Sequence, residues 1–180
     1  AQSVNPAVQT QVININSWFD PQAANQAPNA LADAGCDMVF SILDDATHLA
    51  VAQKRGIMAA TWNTDNRKHG PDAYVSSVML DWDVFYVNEF RNRIEGKWTG
   101  NRTELLALGN GVDRDEWGQA VPQAARDAGD AAREKILAGW NPFSGSMKDN
   151  TGAQRLNEGD EMSVADVYGW TWAVEGVSGL

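Results

Sequence analysis

Three short clusters carry the side chains of this chain best suited to chemistry: Ser17, Trp18, Phe19 and Asp20; Ser41, Asp44 and Asp45; and Trp62, Asn63, Asp65 and Asn66. Carboxylates accept N–H and O–H donors, amides do both, and aromatic faces supply area for stacking, so the mixture suits a flat, hydrogen-bonding ligand. Asp20, Asp44 and Asp45 serve equally well as helix caps, since each precedes a helical pattern. Nucleophilic catalysis is poorly provided for. His48 follows Thr47 on a helix and His69 stands in a polar loop beside Arg67 and Lys68, so both read as surface histidines rather than triad members. Cys36, in Ala34-Gly35-Cys36-Asp37, reads as a small core residue before a strand. Zinc-type Cys/His spacing is lacking, and Gly109 with Gly111 make only a weak phosphate-loop pair, so no cofactor is expected. Asp44, Asp45 and Asp65 could hold Mg²⁺ at strand ends, which makes a Mg-dependent hydrolase on a flavodoxin-like sheet the enzymatic alternative.

The elements that must position these clusters follow from periodicity. Val12, Ile13 and Ile15 predict a strand ending near Trp18. Asp20-Pro21 opens a helix through Ala23, Ala27, Ala30, Leu31 and Ala34 to Gly35, with a kink or late start expected at Pro28. Asp37 to Ser41 predicts a strand, Thr47 to Gly56 a helix, and Ile57 to Trp62 a third strand, so strand and helix alternate as in βαβ units with a parallel sheet. Tyr74 to Met79 predicts a fourth strand and Trp82 to Glu95 a helix. Lys97 to Gly118 reads mostly as loop, Pro122 to Gly139 as a helix, and Ser163 to Tyr168 as a short one. In an open parallel sheet the ligand crevice lies beyond the carboxyl ends of the strands, where the three clusters fall.

With 180 residues the chain can bury a sizeable core without staples. Its 24 acidic against 14 basic residues give a net charge of −10, so nucleic acid and bare anionic membrane are not expected partners. No run approaches the roughly 18 apolar residues of a membrane span. Eight tryptophans are several times ordinary usage and need a core, a ligand cleft or a partner to cover them.

Several motifs in order resemble one family: Asn16-Ser17-Trp18-Phe19-Asp20-Pro21, Ala30-Leu31 through Ala34-Gly35-Cys36-Asp37, Asn63-Thr64-Asp65, Ser77-Val78 with Trp82, Gly96-Lys97-Trp98, Val121-Pro122, Phe143-Ser144-Gly145, and Trp172 through Glu175-Gly176-Val177. Together they are similar to the basic membrane protein family of substrate-binding proteins that serve ABC importers. The resemblance implies an α/β lobe of a type I periplasmic-binding-protein fold, a purine base or nucleoside as ligand, an ABC permease as partner, no enzymatic activity, and a periplasmic or cell-envelope location. It also implies a two-lobed protein whose first lobe precedes Asn5-Pro6, so that this chain is expected to lack most of that lobe. On that basis residues 1–76 and 100–155 would form the ligand-binding second lobe, and 77–99 and 156–180 the crossover segments.

Carried over residue by residue, Trp18 takes the place of the aromatic that stacks on the purine, and Asp65 that of the aspartate that binds the ligand's polar edge or ribose. Asn63 and Ser41 are their neighbours, and Phe19 and Asp44 complete the candidate set. Where nucleoside-binding relatives often have a lysine, Leu80 stands here, followed by Asp81, which shifts the expected ligand toward a free base. The helix bearing Val84, Phe85, Val87 and Phe90 would lose its packing surface without the first lobe. A separate first lobe or a self-associated dimer would then cover it. A degenerate lobe without ligand is the third reading.

Overall fold

A computed structural model describes residues 4–179. By their contacts they form two compact units, one within Ala1–Asn16 and Ala138–Leu180, the other Ser17–Leu137. All candidate residues lie in the second.

In Ser17–Leu137, Asp20 opens helix α1 (Pro21–Asp33): its Oδ1 accepts from the Gln22 and Ala23 amides, so the cap role holds for this residue. Helix assignment runs unbroken through the buried Pro28, so the helix starts early, and it ends before Gly35, whose φ of +91° an L side chain would resist. Strand β2 (Met38–Phe40), helix α2 (Thr47–Arg55) and strand β3 (Met58–Asn63) make a βαβ unit, with β2 and β3 parallel and Gly56 left-handed at the end of α2. Strand β4 (Tyr74–Leu80) adds parallel to β3. Helix α3 (Asp83–Ile94) follows, then β5 (Ala107–Leu108), β6 (Gly111–Arg114) and helix α4 (Gln123–Leu137). The sheet order is β2-β3-β4-β6-β5, with β6 antiparallel to β4. The α/β architecture with a mostly parallel sheet is as expected from the sequence.

Two predicted elements differ. The strand expected over Gln11 to Asn16 is reduced to β1 (Thr10–Gln11), which pairs not with this sheet but with a terminal strand (Val177–Ser178) in the other unit. The Val12 amide donates to the Ser178 carbonyl at 2.9 Å, and the ladder goes no further along the alternating residues. The stretch 97–118, expected as loop, contains β5 and β6; Asp113 and Arg114 masked the strand pattern because their charges are met by tertiary partners, Arg133 and Asp130.

The core is small and close. Leu49 and Ala52 of α2 meet Ala59 of β3 and Ala73 and Tyr74 at the start of β4, all at most 2% exposed, and α1 packs on α2. The alanines let helix and strand approach, and Leu49 fills the gap. Gly118 sits against β4 so tightly that a Cβ would lie 1.6 Å from the Tyr74 carbonyl oxygen, while its amide donates to Val75.

In the other unit, a hairpin pairs Met147–Lys148 with Gln154–Leu156, and Ser163 caps a short helix, Val164–Tyr168, in a capping box with Asp166. The buried Asp149 accepts from Thr151, from the Ala153 amide and from Arg155, whose guanidinium lies over Trp172; the Thr151 hydroxyl and Arg155 hold its carboxyl well below the usual range despite burial.

Leu49→Ala is expected to cost about 2–5 kcal/mol by leaving a cavity, and Gly118→Ala about 1–3 kcal/mol or more by overpacking. Urea midpoints at unchanged slope measure both; wild-type midpoints would show that this cluster is not the core of the unit.

Candidate functional site

The carboxyl ends of β2 and β3 lie side by side because the register pairs Phe40 with Ala60, and the Ser41 amide continues the ladder to the Ala60 carbonyl at 3.2 Å. The segment before α1 is tied to this edge by a bond from the Asp44 amide to the Trp18 carbonyl at 2.9 Å. That bond brings the rings of Trp18 and Trp62 to 5.9 Å between centroids at 26°, a stacked pair, while the Trp62 indole N–H donates to the Leu43 carbonyl at 3.3 Å. Trp18 remains 60% exposed, so the pair offers an open aromatic face rather than a closed cavity.

Of the six candidate residues, Trp18, Ser41 and Asp44 are brought together here. The Ser41 hydroxyl accepts from the Leu43 amide and shapes the loop beneath Trp62. The Asp44 carboxylate is exposed and makes no hydrogen bond or ion pair among the described residues, whereas Asp45 accepts from the Thr47 amide at 2.6 Å and takes the helix-opening role. Phe19 is exposed beside Trp18, its amide bonded to the Ser17 hydroxyl. Asn63 ends β3 with φ of +70°, a left-handed geometry that asparagine tolerates and β-branched residues resist. Asp65 is held by Arg67, whose Nε lies 2.9 Å from both its oxygens; the same guanidinium reaches Asp115 at 2.7 Å, and Asp115 also accepts from the Tyr74 hydroxyl at 2.7 Å. Burial raises the Tyr74 pKa, with Asp115 adding to it. The hydrogen bonds of Tyr74 and Arg67 outweigh burial at Asp115 and keep its carboxyl below the ordinary range.

Sequence reading did not select Arg67, Tyr74 or Asp115, whose connection spans up to 48 residues. It placed His48 on the surface. The structure corrects this: His48 is 2% exposed, its Nδ1 donates to the Asp45 carbonyl at 3.3 Å, and its Nε2 has no partner. Packing of the first turn of α2 against the sheet buries it, as it buries Thr61, whose hydroxyl is also unpartnered. Cys36 is half-buried rather than core. Among the described residues no three His, Cys, Asp or Glu converge as metal ligands, so Asp44, Asp45 and Asp65 do not form the acidic trio a Mg-dependent hydrolase requires. No helix among them is long and apolar enough to cross a membrane.

The profile of the Bmp family, described as "ABC transporter substrate-binding protein PnrA-like", matches residues 1–113, and the chain belongs to that family. It is 29% identical over 178 residues to "Purine-binding protein BAB2_0673" of Brucella abortus, covering 98% of this chain and 51% of that protein. It is 34% identical over 142 residues to "Putative ABC transporter glucose-binding protein TsgA13" of Haloferax volcanii, covering 76% of this chain and 35% of that one. The chain thus spans about half or less of the length of these relatives. Among solved structures, an ABC transporter solute-binding protein from Conexibacter woesei superposes with a TM-score of 0.56 at 20% identity, over 77% of this chain and 47% of that one. A transcriptional activator of the comK gene from Bacillus halodurans does so at 0.59 and 21%, over 71% and 46%. Both show the fold.

Burial lowers the His48 pKa below 6.5, against the carbonyls of Asp45 and Ala60 and the Asp45 charge, which favour the protonated ring. The unfolded chain therefore takes up this proton first, so stability is complete above the ordinary histidine pKa and declines as pH falls through it toward the folded value, by up to about 1.4 kcal/mol per pH unit. The stability difference between wild type and His48→Gln, from urea unfolding, is expected to fall between about pH 7 and pH 5; a flat difference would contradict a buried neutral imidazole.

Proposed function

We propose that this member of the Bmp family acts in an ABC importer's substrate-binding component, outside the cytoplasm or at the cell envelope, where it holds a purine base or nucleoside and delivers it to the permease. The observation that carries the reading is the Trp18–Trp62 pair, an exposed aromatic face fixed by main-chain bonds at the carboxyl edge of a parallel sheet. A planar base stacks on such a face and gains about 1–3 kcal/mol. The Asp44 carboxylate, free of internal partners, accepts N–H donors from the base edge, Ser41 and Asn63 line the strand ends, Phe19 extends the apolar wall, and Asp65 supplies an acceptor already oriented by Arg67. No bond is made or broken in this role. Ligand binding favours whichever conformation it contacts best, and closure on the ligand follows from that differential affinity. In this reading residues 1–76 and 100–155 carry the ligand-facing lobe and 77–99 and 156–180 the crossovers.

The glucose-binding name of one relative favours a second reading, since tryptophan faces also take the apolar face of a sugar. Titrating adenine, hypoxanthine, guanosine, inosine and glucose by calorimetry, with the chain alone and within a full-length protein, separates the two. Micromolar or tighter purine binding is expected, weakened about 5- to 100-fold by Trp18→Ala. Glucose binding without purine binding would replace this reading with the second, and binding of neither by the full-length protein would remove both.

A further inference from the structure

His48 is buried and titratable, and the proposed binding role leaves it unused, yet it stands in the first turn of α2, at the end of the loop that carries Ser41 and Asp44. Its Nδ1 donates to the Asp45 carbonyl, its Nε2 has no partner, and the Ala60 carbonyl faces the ring without closing on Nε2. Both carbonyls adjoin bonds that fix the site. The Ala60 carbonyl accepts from the Ser41 amide, and Asp45 follows Leu43, whose carbonyl holds the Trp62 indole, and Asp44, whose amide holds the Trp18 carbonyl. Charges around the ring are few. Strands β2 and β3 carry no titratable side chain, and β4 carries Tyr74, bonded to Asp115. Helix α1 presents Asp33, held by Arg55, and its cap Asp20; the turn Arg67–His69 presents Arg67, held by Asp65 and Asp115, and the exposed Lys68 and His69. Lys54 and Arg55 lie in the last turn of α2, and Asp45 is the charge that acts on the ring.

We infer that His48 is a proton switch for the aromatic face, a role that rests on the reading of this edge as a ligand site: the neutral ring keeps the Ser41–Asp44 loop in its binding geometry, and protonation releases loop and ligand together. The neutral ring, with its proton on Nδ1, needs one acceptor and has it in the Asp45 carbonyl. The charged ring carries a second N–H, on Nε2, in a buried place where the Thr61 hydroxyl makes no bond to it. It is relieved by drawing on the Ala60 carbonyl at the expense of the Ser41 bond, or by turning out to water, which unwinds the first turn of α2 and pulls Asp45 and Asp44 with it. Either way a main-chain bond of the site gives way. A ligand that binds the neutral form opposes proton uptake, and by linkage a proton opposes the ligand by the same factor.

With two histidines in the chain, proton magnetic resonance tests this directly. The His48 ring, assigned against His69→Gln, and the Trp62 indole N–H, assigned against Trp62→Phe, are followed from about pH 7.5 to about pH 4.5. Protection of the Trp62 N–H from solvent exchange, corrected for the intrinsic effect of pH, is expected to fall about tenfold or more with the midpoint of His48, and to stay level in His48→Gln. Calorimetry with hypoxanthine and with glucose, on the chain alone and within a full-length protein, reads the coupling to ligand. The ratio of wild-type to His48→Gln affinity is expected to fall with pH by up to about tenfold per unit, the limit for one proton, and this ratio cancels protonation of the ligand and of the carboxylates. A His48 that titrates while indole protection and affinity stay level overturns the inference, as does an equal fall in His48→Gln. If neither compound binds at any pH, the reading of the site fails and the indole titration still decides the switch. If His48→Gln does not fold, agreement or disagreement of the two midpoints in the wild-type chain decides it.

Discussion

Tyr74 is the residue on which the unit Ser17–Leu137 depends. Its ring is fully buried against Leu49 and Ala59, so it belongs to the core, yet its hydroxyl donates to Asp115 and thereby to the ion pair of Arg67 with Asp65. A phenol can do both because one end is apolar and the other is polar. Helix α2 is thereby locked to β3 and β4 by the same side chain that fixes the polar loop after β3. With that loop and the β2–β3 register set, Trp62 has one position, and the Asp44–Trp18 main-chain bond brings the second indole to it. Phenylalanine at 74 would keep the first function and strand the buried edge of Asp115.

Elements whose signal is local were legible in the sequence. The helix from Pro21 shows its cap, its period and its stop; β2, β3 and β4 show apolar runs bounded by polar turns. What failed was nonlocal. Val12, Ile13 and Ile15 alternate as a strand should, but a ladder needs a neighbour, and the short partner at Val177–Ser178 pairs with Thr10 and Gln11 and takes one further bond from the Val12 amide. Strand β6 was hidden because Asp113 and Arg114 look like loop residues until Arg133 and Asp130, on a helix twenty and sixteen residues away, neutralise them. His48 reads as exposed because it follows Thr47 on a helix, and only the sheet beneath α2 removes it from water.

The candidate site divides along the same line. Trp18, Ser41 and Asp44 were selected because strand ends are where an open sheet binds, and the structure brings them to one edge. Asp65 was selected too, but its ion pair was not foreseen, since Arg67 is two residues away and reads as a loop cation until Asp115 fixes its direction. An acceptor whose two oxygens share one guanidinium N–H is pre-oriented and partly neutralised. In the proposed role it would discriminate by geometry more than by charge, which suits a neutral base or sugar better than a cationic ligand.

The tryptophan excess resolves into physically distinct uses. Trp117 donates to Asp130 and lies under Arg114, and Trp170 with Trp172 packs beside Phe143, so these are structural. Trp62 is held through its indole N–H to the Leu43 carbonyl, and Trp18, anchored through its own carbonyl to the Asp44 amide, stacks on it at the strand ends. Trp82, by contrast, lies in helical conformation at the start of a helix with no buried residue, where exposure is the default and burial requires another surface. An aromatic face that the fold holds open is suited to a small ligand that comes and goes.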